Sequence, residues 1–180
     1  MKRILFLLIF AAVSGSSPSF AAGGGPLSPE LQKLDISVGR WVYHGKTLKT
    51  KSGKPGSWTW NEDCQWSPDQ VFLECTFTND WAGKIVKSLV VDTYNTKDHT
   101  YWHYELFASG AGGDAPFVSR MTINGETWIE YGPDTDHGKK ISERIVYHWA
   151  SPTRVSVAIQ TSTDGAHWVT LDQGEGIKQP

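Results

Sequence analysis

Several large classes of protein are excluded by what this chain has little of. Its 180 residues include only two cysteines, Cys64 and Cys75, and no CxxC pair or close Cys/His set accompanies them, so their spacing does not indicate a structural metal site. HExxH, GxSxG, P-loop and GxGxxG patterns are all missing, which leaves zinc-protease, serine-hydrolase and nucleotide chemistries without their motifs. Basic side chains number 17 against 19 acidic ones, a balance that does not suggest nucleic acid, whose binding rests on clustered Lys and Arg. The only basic run, "KTLKTKSGK" at 46–54, is flanked by Gly and Ser and reads as a solvated hairpin loop. The apolar run from Ile4 to Val13 falls well short of the ~20 residues that a membrane-spanning helix needs.

That short run has another reading. Lys2 and Arg3 precede it, and a small-residue end, Ser19-Phe20-Ala21, follows it, so residues 1–21 form the pattern of a secretory signal peptide. A linker over 22–27 and one domain over 28–180 are then expected, in the periplasm or outside the cell, without stable membrane insertion. Loss of the leader leaves 15 basic against 19 acidic side chains. In an oxidising compartment the two thiols are expected to pair. A turn at Asp69-Gln70 sets Cys64 opposite Cys75 and Trp66 opposite Leu73 on one side of a hairpin.

"SPELQKLDISV" opens the domain, with Ser28 as N-cap, Pro29 at the first helical position, and Leu31, Leu34 and Val38 at helical spacing; a short helix is expected there. From Gly39 onward short β-branched and aromatic runs alternate with turn signals, the pattern of an antiparallel all-β domain. The strands read as 39–49, 57–66, 71–79, 84–94, 99–107, 116–123, 126–131, 140–149, 153–161 and 166–172. Asn124-Gly125 and Asp164-Gly165 supply the clearest hairpin turns, and Pro68, Pro133 and Pro152 fall between strands. "ASGAGGDAP" at 108–116 reads as a long connection or a portal loop. An up-and-down barrel of about ten strands is favoured, because closure removes exposed edges; a two-sheet sandwich shares the same pattern.

"LQKLDISVGRWVYHGKT", residues 31–47, places Leu31, Leu34, Asp35, Gly39, Trp41 and Gly45 in a pattern that resembles the opening of a family of secreted bacterial calycin-like domains. "STDGAHW" at 162–168 is similar to a late hairpin of that family. Gly39-x-Trp41 also resembles the opening of lipocalins and of nitrobindin-type ten-stranded haem barrels. The resemblance implies a lipocalin-like barrel with a helix plugging one end, Trp41 packed on it, and a small ligand in the interior. The nitrobindin likeness further implies haem on a histidine of a late strand, where His148 is the nearest candidate. No cofactor is otherwise indicated.

The residues themselves offer several sites. "TYWHYELF" at 100–107 divides into two faces: Tyr101, His103, Glu105 and Phe107 on one, Trp102, Tyr104 and Leu106 on the other. The second is more continuously apolar and is expected to look inward. The same criterion selects Trp60, Trp66, Leu73, Phe77, Trp102, Tyr104, Ile129 and Tyr131 as the lining of an aromatic cavity for a small apolar or amphipathic molecule. If the other face looks inward, His103 and Glu105, with Arg144, are the residues for acid/base chemistry or for holding a polar ligand. Nine tryptophans also admit a carbohydrate-binding reading, which needs an exposed coplanar strip. His99 and His103 share a strand face about 13 Å apart, too far for one ion.

Overall fold

In the computed structural model the described residues are 27–48, 55–81, 83–108, 116–136 and 139–180. The leader expected over 1–21 and the 22–27 linker, except Leu27, lie outside them. So do residues 49–54 of the basic run and residues 109–115 of the long connection.

Ser28 starts the chain's first element as its sequence suggests: its Oγ accepts from the Leu31 amide at 3.2 Å and caps α1, Pro29–Gln32. A 3-10 turn, Lys33–Ser37, continues it and buries Leu34 completely. Ten strands follow: β1 Gly39–Thr47, β2 Gly56–Trp66, β3 Leu73–Trp81, β4 Lys84–Asn95, β5 Thr100–Phe107, β6 Phe117–Asn124, β7 Thr127–Asp136, β8 Lys139–Ser151, β9 Arg154–Ser162 and β10 Val169–Lys178. Each pairs antiparallel with its sequence neighbour, and β1 pairs with β10 as well, so the sheet is a closed barrel and not a sandwich. No helix among the described residues is long and apolar enough to cross a membrane.

The helical segment lies over one barrel end, held by three bonds from aromatic side chains. Trp41 Nε1 donates to the Ser37 carbonyl at 2.9 Å, Trp66 Nε1 to Asp35 Oδ1 at 2.7 Å, and the Tyr101 hydroxyl to the Glu30 carbonyl at 2.9 Å. Beneath it Trp41 meets Trp149 edge-on at 5.2 Å, and Trp128 packs on Trp149 at 5.0 Å. Cys64 faces Cys75 and Trp66 faces Leu73 as the turn chemistry requires, and the two cysteines form a disulfide. Gln70 takes the positive φ, 59°, of that turn.

Two boundaries differ from the sequence reading. Pro133 is inside β7, because β6 pairs with β7 only as far as Arg120↔Tyr131; beyond that point, among the described residues, β7 pairs with β8 alone, and a missing amide hydrogen interrupts less. β10 runs on to Lys178 through Gly174 and Gly176, residues of low strand propensity. Ring volume explains their place: a Cβ on Gly174 would sit 2.6 Å from Trp58, and one on Gly176 2.4 Å from Tyr43. Gly45 on β1 is tighter still, with the Trp58 ring 2.0 Å from where its Cβ would be. The large rings of β1 and β2 thus fill the space that β1 and β10 leave empty.

Candidate ligand cavity

Register carries the disulfide's inward direction around the barrel. Cys75 pairs with Val90 and Val90 with Glu105, so Glu105 shares the inner face, and with it Tyr101, His103 and Phe107. The more apolar face of β5 is therefore the outer one, which corrects the expectation from composition: Tyr104 is 38% and Leu106 44% exposed, whereas Tyr101 is 5% exposed. The physical reason is visible on both sides of the wall. Outside, Trp102 stacks on Tyr104 at 6.0 Å and carries the Arg120 guanidinium 4.7 Å above its ring, so an apolar-looking face is stable in contact with water. Inside, His103 and Glu105 have polar partners.

His103 stands at the centre of that inner set. Its Nδ1 is 2.9 Å from Asp92 Oδ1 on β4, and its Nε2 is 3.7 Å from Glu130 Oε1 on β7. Ser119 donates to Glu130 at 2.6 Å, and Ser88 to Glu105 at 2.6 Å. Glu62 on β2 bonds the Tyr43 hydroxyl. Burial pulls the His103 pKa down, but the charges of Glu130 and Asp92 and the bond to Asp92 outweigh it and raise the pKa to about 10, so the ring is a cation at neutral pH. Burial pushes Glu62 up to about 7 against the lowering effect of Tyr43, and burial raises Glu130 against His103 and Ser119. Tyr147, buried and facing Glu130 and Glu62, is raised well above the usual phenol value.

A cavity of about 400 Å³ lies above this cluster, toward the end opposite the helix. Its apolar walls are Trp60, Phe77, Phe107, Phe117, Ile145 and Tyr147; its polar lining includes His103, Glu105 and Glu130. A smaller space of about 40 Å³ continues toward the helix between Glu62, Asp92, His103 and Glu130. The larger volume is within the roughly 300–1,000 Å³ of small-molecule sites.

The structure separates the residues that the sequence grouped. Trp60 and Phe77 line the cavity. Leu73 is inward but close-packed, 1% exposed, in the core cluster against which Trp66 also packs, and Trp66 is tied to Asp35. Trp102, Tyr104, Ile129 and Tyr131 stand on the outer wall, since Trp128 and Glu130 are the buried members of β7. Of the polar set His103 and Glu105 come together inside. Arg144 does not: it pairs in register with outward Tyr131, donates to Gln160 at 2.6 Å and stacks on Trp168 at 4.1 Å. The sequence reading missed Glu62 and Asp92 as site residues and did not select Glu130. Glu130 had a signal, its alternation with Trp128, a ring too large to leave in water.

The haem and sugar readings meet similar obstacles. His148 is exposed on the outer face of β8, near Thr127 Oγ1 at 3.3 Å, and His103 is flanked by carboxylates on both ring nitrogens; among the described histidines neither donor set suits a haem inside the barrel. Trp41, Trp58, Trp60, Trp128 and Trp149 are all at most 6% exposed, and the outer indoles Trp102 and Trp168 are each covered by an arginine, so among the described residues these rings make no open strip. Glu62, Cys64 and Cys75 lie close enough to hold an ion, but both sulfurs are spent in the disulfide.

No family model matches the chain, and no curated protein matches it in sequence. Solved structures do share its fold. The crystal structure of Rv2717c from M. tuberculosis aligns with a TM-score of 0.58 at 14% identity, over 86% of this chain and 99% of that one. The S-type phycobiliprotein lyase CPES from Guillardia theta aligns with a TM-score of 0.56 at 12% identity, over 91% of this chain and 99% of that one. Together with the closed ten-stranded meander, these define a calycin-like barrel.

Proposed function

We propose that the protein is a secreted or periplasmic binding protein, not an enzyme, which takes a small amphipathic molecule into the barrel, and that its mature domain, residues 28–180, belongs with secreted bacterial calycin-like domains. The observation that carries this reading is the cavity of about 400 Å³, apolar on its walls and polar at its floor. The Cys64–Cys75 disulfide accords with an oxidising compartment, as does the leader pattern at residues 1–21. The lyase likeness is one of fold, and its activity is not carried over to this chain.

Native mass spectrometry of protein purified undenatured from its own host tests the reading. The expected result is a mature chain beginning at Ala22 with a non-covalent adduct that is lost on unfolding. Ile145→Trp, which fills the cavity from β8, is expected to fold, keep the disulfide and lose the adduct. An adduct retained equally by the filled variant, or a wild-type protein that carries none and binds no small molecule, refutes the proposal.

A further inference from the structure

We propose that the molecule held in this cavity is a protonated organic amine on an apolar body, its ammonium seated against Glu62, Asp92, Glu105 and Glu130; this rests on the cavity being a ligand site. The first ground is charge. Four strands bring carboxylates to two spaces that share His103 and Glu130 in their walls: Glu62 from β2, Asp92 from β4, Glu105 from β5 and Glu130 from β7. Among the described lining residues the cations are one imidazolium, His103, and Lys84, which is exposed. A ligand carboxylate would enter an already anionic, poorly hydrated space, whereas a cation relieves the repulsion.

The second ground is the supply of hydrogen-bond donors. Tyr43, Ser88, His103 and Ser119 already donate to Glu62, Glu105, Asp92 and Glu130. Each ionised carboxylate has room for about four such bonds, so acceptors remain in excess. Asn79, which lines the cavity, adds a further one: its Oδ1 is shielded from solvent and accepts no hydrogen bond from the described residues. A buried acceptor without a donor is costly, and an ammonium supplies three donors. The third ground is the wall itself. Trp60, Phe77 and Tyr147 offer ring faces whose quadrupole attracts a cation and whose area holds an apolar body.

Binding is then linked to protonation. Tyr43, Asp92, His103, Glu130 and Tyr147 face Glu62 from β1, β4, β5, β7 and β8, and burial holds Glu62 near 7. An arriving cation favours the carboxylate and drives its proton off. Amine affinity therefore rises from pH 5 to pH 7, by up to about tenfold per pH unit for one proton released.

Calorimetric titration of the ligand-stripped wild-type protein with 1-naphthylmethylamine, 1-naphthylmethanol and 1-naphthoate tests this, since the three share a ring and differ at the head. The amine is expected to bind at least about tenfold more tightly than the alcohol, a gap that one charge-assisted contact accounts for, and the carboxylate most weakly. Glu62→Gln is expected to remove the pH dependence for the amine. Because the head-group series uses the wild type, a variant that fails to fold decides nothing. Equal binding of alcohol and amine overturns the cationic ligand and leaves the cavity reading standing; failure of all three, with no adduct on native protein, overturns both.

Discussion

Replacing His103 by glutamine tests the inner cluster most directly, through the pH dependence of stability. In the folded barrel the His103 pKa lies at about 10, compared with ~6.5 for a histidine in an unfolded chain. The native state holds this proton more tightly, so the stabilisation is complete below pH ~6.5 and is lost as pH climbs toward 10. At about 1.4 kcal/mol per unit the whole window corresponds to on the order of 5 kcal/mol, a large part of the ~5–15 kcal/mol by which domains are stable. Glu62 acts with the same sign at lower pH: raised to about 7, it contributes stability below ~4.5 that fades toward 7. The wild-type protein is thus expected to be most stable in mild acid and to weaken steadily from pH 5 to pH 9. Urea unfolding at constant ionic strength, read by tryptophan fluorescence at pH 5, 7 and 9, measures this. In His103→Gln the decline between pH 7 and pH 9 is expected to flatten, and stability at pH 7 to fall by roughly 3–5 kcal/mol because Asp92 and Glu130 lose their cation. A wild-type stability that is level or rising from pH 6 to pH 9, or an unchanged slope in the variant, refutes the reasoning.

Three further outcomes follow from features away from the cavity floor. Cys64→Ser combined with Cys75→Ser opens a bridge between residues 11 apart and is expected to cost about 2–3 kcal/mol by thermal or urea unfolding, with the barrel's circular dichroism kept. Gly45→Ala forces a methyl into the Trp58 ring and is expected to destabilise by about 1–3 kcal/mol or more, whereas Gly56→Ala, with open space at its Cβ, gives a much smaller change. Trp66→Phe removes the bond to Asp35 and is expected to cost about 1 kcal/mol and to raise amide exchange in residues 29–37 before the rest of the barrel.

Much of the fold was legible because local chemistry fixed it. Ser28 and Pro29 announce the helix, Gly125 and Gly165 take positive φ at their hairpins, and the Asp69-Gln70 turn sets the Cys64–Cys75 register. The inner face of β5 was not legible from apolarity, because this barrel places its carboxylates inside and lays Arg120 and Arg144 over indoles outside. Alternation gives two faces and not which is inner; only pairing decides that. The information was present in another form: Trp41 opposite Glu62 and Trp128 beside Glu130 put rings that must be buried on the same face as the acids. The end of β10 escaped for the converse reason, since Gly174 and Gly176 are shaped by rings on β1 and β2, a contact between opposite ends of the chain.

The exchange of ring for glycine along β1, β2 and β10 also sets where this protein can be re-tailored. On that side the Trp58 and Tyr43 rings already occupy the positions of the absent Cβ atoms of Gly45, Gly174 and Gly176, so no side chain there can grow without displacing another. The opposite arc, β3 to β8, borders the open volume and carries Phe77, Phe107, Phe117 and Ile145. A barrel of this kind has one fixed jaw and one adjustable jaw, and substitutions that change which molecule it grips belong on the second.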